Sequence, residues 1–234
     1  MTIASNLAAI RDRIAQAAQR AKRNPADIAL MAVSKTQPAA NIIEAYAAGQ
    51  RLFGENRVQE FADKFPQLAD LHEAELHMIG HLQSNKTAKA AAIFHAVDSI
   101  DSAKLAQRLN DAAQQLGKSV DVLIEINIGG EQAKSGIAPN SPELESVLTQ
   151  APNWKCLHIR GLMTVPPFTE DPECARPHFR QLRELRDRLA ERNLPSVTLD
   201  VLSMGMSHDF EVAIAEGSTC VRIGTAIFGT RPHP

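Results

Sequence analysis

The sequence predicts an α/β protein, a (β/α)8 (TIM) barrel with one extra helix at its amino end, and three observations carry that reading. Short β-branched or apolar runs recur along the chain, each followed by a polar or glycine-containing turn and then by helical spacing, which is the alternation of a parallel sheet. Roughly eight such runs can be placed, whereas a doubly wound open sheet more often uses about five or six strands. The length of 234 residues is one a barrel uses as a single domain. No linker, sustained charge run or fixed-period repeat divides it, so residues 1–234 are read as one unit.

The elements follow in order. A leading helix is expected over residues 5–23, before the alternation begins. The apolar run 28–34 gives the first strand and the alanine-rich stretch 39–48 its helix; 51–54 and 57–65 form the second pair, and 76–79 and 85–91 the third. Strand 95–97 leads to helix 103–116, strand 121–127 to helix 143–150, and strand 158–163 to the charge-rich helix 173–192. Strand 198–203 precedes helix 209–216, and 220–223 closes the barrel. The stretch 166–172, with its three prolines, fits either a mobile loop on the functional face or a simple connector.

Composition excludes several function classes. A net charge of -2 gives no reason to expect nucleic acid, and the lone Trp154 makes no stacking platform for bases. Arg11, Asp12 and Arg13 interrupt the first 20 residues, so no signal peptide is expected, no later run is long enough for a bilayer, and the protein is expected in the cytoplasm. Cys156, Cys174 and Cys220 are scattered and read as reduced thiols. His77 and His81 have the spacing of a helical metal pair but straddle a strand end before Gly80, so no metal is expected. Gly117-Lys118-Ser119 lacks the upstream glycine of a phosphate loop and reads as a helix-to-strand turn.

Barrels place their sites at the carboxyl ends of the strands, and those ends are rich in polar groups here. They present Ser34 and Lys35; Glu55, Asn56 and Arg57; Gly80, His81 and Gln83; Asp98 and Ser99; Asn127; Met163 and Thr164; Ser203 to Ser207; and Gly224 with Thr225. Lys35 follows an apolar run that would desolvate its ammonium and free the amine for Schiff-base chemistry, although a strand-end lysine also snorkels to solvent. The segments Ser203-Met204-Gly205-Met206-Ser207 and Arg222-Ile223-Gly224-Thr225 fit two backbone nests for phosphate, although Ser207 also fits a simple helix cap. Asp209 is an unfavourable neighbour for phosphate unless it turns outward along its helix, and alternation places Arg222 inside the barrel. An amine facing a phosphate cradle across one mouth suits a phosphorylated aldehyde held at both ends, such as pyridoxal phosphate.

From its first helix to Arg231 the chain closely resembles the pyridoxal phosphate homeostasis protein family, itself similar to the amino-terminal barrel of alanine racemase. The motifs are Ala32-Val33-Ser34-Lys35, Phe53-Gly54-Glu55-Asn56, the stretch from His77 to Gln83, Lys134-Ser135-Gly136, Gly161-Leu162-Met163, Leu202 to Ser207 with Asp209, and Val221-Arg222-Ile223-Gly224. The resemblance implies that Lys35 is the Schiff-base lysine for pyridoxal 5'-phosphate, that Ser207, Gly224 and Thr225 hold the phosphate, and that Arg222 faces the pyridine nitrogen. It implies further that Asn56 and Met204 line the pocket, that Lys134 is a candidate for another binding mode, and that the protein is a monomer. The implied role is a carrier that buffers the cofactor or delivers it to apoenzymes requiring it, without catalytic turnover. The alternatives are an amino-acid racemase and, third, a Schiff-base aldolase without cofactor. A two-base racemase needs a second acid/base group, and the lone Tyr46, in the first barrel helix, is more simply helix packing.

Overall fold

The structure, a computed structural model, describes residues 2–130 and 135–229. Eight parallel strands pair in chain order and close into a barrel, β8 returning to β1. They are β1 (Ala29–Val33), β2 (Leu52–Glu55), β3 (Glu75–Met78), β4 (Ala96–Ile100), β5 (Val120–Glu125), β6 (Leu157–Met163), β7 (Val197–Ser203) and β8 (Cys220–Ile223). Around them run α1 (Ile3–Arg20), α2 (Ala39–Ala47), α3 (Val58–Lys64), α4 (Thr87–Ile93), α5 (Ala103–Gln115), α6 (Pro142–Gln150), α7 (Arg176–Ala190), α8 (Phe210–Ala215) and α9 (Thr225–Phe228).

The helices cover the outside because each buries one stripe. In α7, Phe179, Leu182, Leu185 and Leu189 recur at helical spacing and are buried, while its arginines face outward; Arg176, Arg180 and Arg183 converge on Glu216 beyond α8. Trp154 is buried too, its indole N–H donating to Gln107 Oε1 at 3.0 Å. The leading helix α1 starts at Ile3, where Thr2 and Ser5 form a reciprocal cap, and it packs against α8 and α9.

Three expectations need correction. Strand β4 runs on to Ile100, so Asp98 and Ser99 are buried strand residues and do not lie at a strand end. Their polarity cut the expected run short, but both are buried and find partners: Asp98 Oδ1 meets His77 Nδ1 at 3.0 Å, and Ser99 Oγ donates to Gly80 O at 2.6 Å. Strand β5 ends at Glu125, before Asn127. The helix expected over 173–192 is divided, because Asp171 caps a short 3-10 turn at Pro172–Ala175 before α7 begins.

Candidate functional site

The carboxyl mouth is built first from β1. Lys35 follows it after one residue, Ser34, and is half-buried. The turn that carries Lys35 is fixed on both sides by a residue absent from the sequence reading: the buried ammonium of Lys64 donates to Ser34 O and Gln37 O, each at 3.1 Å, and to Glu55 Oε1 at 2.8 Å. Ser34 Oγ donates to the same carboxylate oxygen at 2.7 Å. Thr36, between them, has a left-handed φ of 64° and donates its N–H to Glu60 Oε1 at 2.8 Å. Burial raises the Glu55 pKa above its ordinary value, against the lowering effects of Lys64 and Ser34.

Beside β1 stands the end of β8. A Cβ on Gly224 would come within 3.3 Å of Val33 O, so the absence of a side chain lets the two strand ends close together two residues from Lys35. Gly224 opens α9, a helix too short to show as periodicity, and its carbonyl accepts from Ile227 N and Phe228 N. Thr225 is exposed at the start of that turn.

Arg222 points inward as alternation requires, and it is buried. Its Nη1 donates to Ser203 Oγ and its Nη2 to Thr164 O, both at 2.7 Å. Burial lowers the guanidinium pKa, while Cys220, Asp98, Asp209 and Glu125 act in the opposite direction. The loop before α8 is tied to the same strand, since Arg222 N donates to Gly205 O at 2.9 Å. Within it Met204 is buried and Ser207 half-buried, and Ser207 caps no helix: the cap position is Asp209. Asp209 does not turn outward. It is buried and its Oδ1 accepts from Met206 N at 2.6 Å, closing the loop on itself.

Asn56 lies farther round the rim, half-buried in a cleft of about 390 Å³ with Met78, Gly80, His81 and Gln83. A Cβ on Gly80 would collide with the Asn56 carbonyl, which explains the glycine. His77 and His81 serve different ends of the barrel, His77 within β3 and His81 on the rim beside Asp101 at 3.0 Å. The 164–172 loop is tethered to the start of α8, where His208 Nε2 contacts Glu170 O at 2.9 Å and Phe168 packs on the His208 ring. Lys134 lies outside the described residues.

Sequence reasoning missed a second buried carboxylate. Glu125 accepts from Ser135 Oγ at 2.8 Å, its Oε2 has no partner among the described residues, and burial raises its pKa. The alternation of Asp121, Leu123 and Glu125 along β5 is the signal that places it inside.

Residues 5–232 match the family model described as alanine racemase, N-terminal domain. A pyridoxal phosphate homeostasis protein of Aquifex aeolicus is 46% identical over 234 residues, all of both chains. One of Pseudomonas aeruginosa is 48% identical, covering 99% of this chain and 97% of that one. Among solved structures, PipY of Synechococcus elongatus with PLP bound is 39% identical with a TM-score of 0.84, covering 97% of this chain and 100% of that one. An alanine racemase of Clostridium difficile has a TM-score of 0.74 at 16% identity, covering 99% of this chain and 57% of that one; this likeness shows the fold alone. By its whole-length match to these relatives, the chain belongs to the pyridoxal phosphate homeostasis protein family, built on the alanine racemase amino-terminal barrel.

Proposed function

We propose that this chain, as one domain over residues 1–234, holds pyridoxal 5'-phosphate on Lys35 and takes part in its homeostasis, buffering the cofactor or passing it to apoenzymes. The observation that carries the reading is the fixed turn bearing Lys35 beside the closely packed Gly224, with the buried Arg222 behind them. When bound, the cofactor supplies an aldehyde that condenses with an amine. Ser207, Gly224 and Thr225 would hold the phosphate, Arg222 would face the pyridine nitrogen, and Asn56 and Met204 would border the pocket. The residues fit this group on two observations. Gly224 lets the β8 end pack against Val33, two residues from Lys35, and Arg222 has donors beyond the two it spends on Ser203 and Thr164. A cationic guanidinium there disfavours protonation of a ring nitrogen and so weakens electron withdrawal from the reacting carbon, a choice that alanine racemase-like enzymes share and that does not by itself separate holder from catalyst.

The protein is proposed to act as a monomer in the cytoplasm, without turnover; among the described residues no helix is long and apolar enough to cross a membrane. Borohydride treatment of the holo protein followed by peptide mapping should place the trapped cofactor on Lys35, and Lys35→Ala should lose the near-visible imine band. Mapping to another residue overturns the assignment. In deuterated water the holo protein should not exchange amino-acid Cα protons at enzyme-like rates. Such exchange, followed by NMR, would restore the racemase reading, for which the buried Glu125 would be the first acid/base group to test.

A further inference from the structure

The barrel has a second mouth. At the amino ends of its strands a cavity of about 250 Å³ opens among Ala29, Leu52, Glu75, Ala96 and Cys220. Met31, His77 and Asp98, each two residues farther along β1, β3 and β4, form its deeper layer. The proposed cofactor site lies at the opposite ends of the same strands and uses none of these groups.

Asp98 carries the argument. It is 1% exposed, its Oδ1 is engaged by His77 Nδ1, and its Oδ2 has no partner among the described residues. His77 cannot serve that oxygen, because its other nitrogen meets Glu75 Oε1 at 3.2 Å. Burial disfavours the charged ring, but Asp98 and Glu75 outweigh it and raise the pKa to about 10, so at neutral pH the ring is an imidazolium with both N–H groups spent. Cys220 offers only a thiol, held neutral by burial with its pKa pushed up to about 12. A buried carboxylate oxygen without a donor is costly, and a ligand N–H would relieve that cost.

The remaining lining defines the ligand. Glu75, Asp98 and Asp121 outnumber the cations His77 and Arg160, so the cavity favours a monocation. Arg160 itself reaches Asp121 and Asp200 only at 3.8 Å. Leu52, Val122, Leu123 and Val201 supply apolar wall. A metal ion is poorly matched: no group of three or more His, Cys, Asp or Glu among the described residues is placed to hold one, and an imidazolium has no lone pair to give. The volume suits a head group with a stem of a few carbons.

We propose that the amino-mouth cavity binds a small organic ammonium ion, its N–H donating to Asp98 Oδ2 and its short apolar stem lying against Leu52, Val122 and Val201.

The test uses holo protein labelled with 15N-histidine, read by NMR at the His77 ring, which reports this mouth and not imine exchange at Lys35. n-Propylammonium should shift the His77 signals saturably, while neutral 1-propanol at the same concentration should not. Asp98→Asn should weaken binding at least about tenfold, the loss of one charge-assisted hydrogen bond. Because that change also removes the charge that favours the His77 imidazolium, Asp121→Asn at the half-exposed rim is the second variant, and binding should weaken about threefold through charge alone. 4-Aminobutyrate separates the two sources of such a head group: tighter binding of propylammonium points to a free amine, and the reverse to an amino acid. No saturable shift with either, an equal shift with propanol, or wild-type affinity in both variants overturns the proposal.

Discussion

Lys64 ends helix α3, where a lysine ordinarily reaches water, yet its side chain is only 10% exposed and spends its ammonium on three oxygens around the Lys35 turn. Removing that charge strands Glu55, whose pKa burial already pushes up. Lys64→Met should destabilise the fold by about 3 kcal/mol, the cost of leaving one member of a buried pair alone. Lys64→Met combined with Glu55→Gln should recover part of it, and urea unfolding of both variants decides. The single variant should also release the cofactor faster, because the Ser34 and Gln37 carbonyls that frame the turn lose their common donor. Lys35 was legible in the sequence because a polar pair follows a long apolar run. Lys64 was not, because a charged residue in a helix ordinarily reads as its solvated face, and only the packing of α3 on the β1 end turns it inward.

At the scale of elements, the loop between β7 and α8 is shaped by Gly205, which has φ of 95° and leaves no room for a side chain: a Cβ there would meet the Ala213 Cβ at 2.5 Å and the Phe210 Cα at 3.0 Å. Gly205→Ala should therefore destabilise by about 1–3 kcal/mol, through strained backbone and overpacking together. It should also loosen cofactor retention, since Gly205 O anchors the loop to Arg222 N and Ser207 lies two residues on. Thermal unfolding and dialysis of the holo protein read the two effects, and wild-type behaviour in both would remove this loop from the site. The loop's importance was visible in the sequence as a glycine in Ser203-Met204-Gly205-Met206-Ser207 directly after an apolar run. The inward course of Asp209 was not, because the bond that holds it to Met206 N is made only once the turn has formed. Helix α9 was equally hidden: four residues carry no period, and its start is fixed by Gly224 packing on Val33.

For the whole molecule, the eightfold alternation was legible because each strand and helix announces itself locally, whereas the interior polarity depends on register, which no local pattern fixes. β4 shows the consequence: Asp98 reads as a strand-end residue, yet pairing of His77 with Ala96 sets β4 so that Asp98 faces His77 across the amino mouth. This pair gives the fold an alkaline dependence. The His77 pKa stands at about 10 in the folded protein against an ordinary 6.5, raised by Asp98 and Glu75 in spite of burial. A group whose pKa rises on folding stabilises fully below its unfolded value and loses that contribution as pH climbs through the folded one. Stability should therefore fall between pH 7 and about 10, because there the unfolded imidazole has lost its proton while the folded ring keeps it, so folding must take up a proton that grows scarcer. In His77→Gln the same window should be flatter, because the substituted amide keeps a donor toward Asp98 but has no proton to lose. Urea midpoints measured for both proteins across that range decide. Parallel curves would mean that His77 is neutral in the folded state, with its ring nitrogen nearest Glu75 carrying no proton and the Asp98 carboxylate balanced by other groups at the amino mouth.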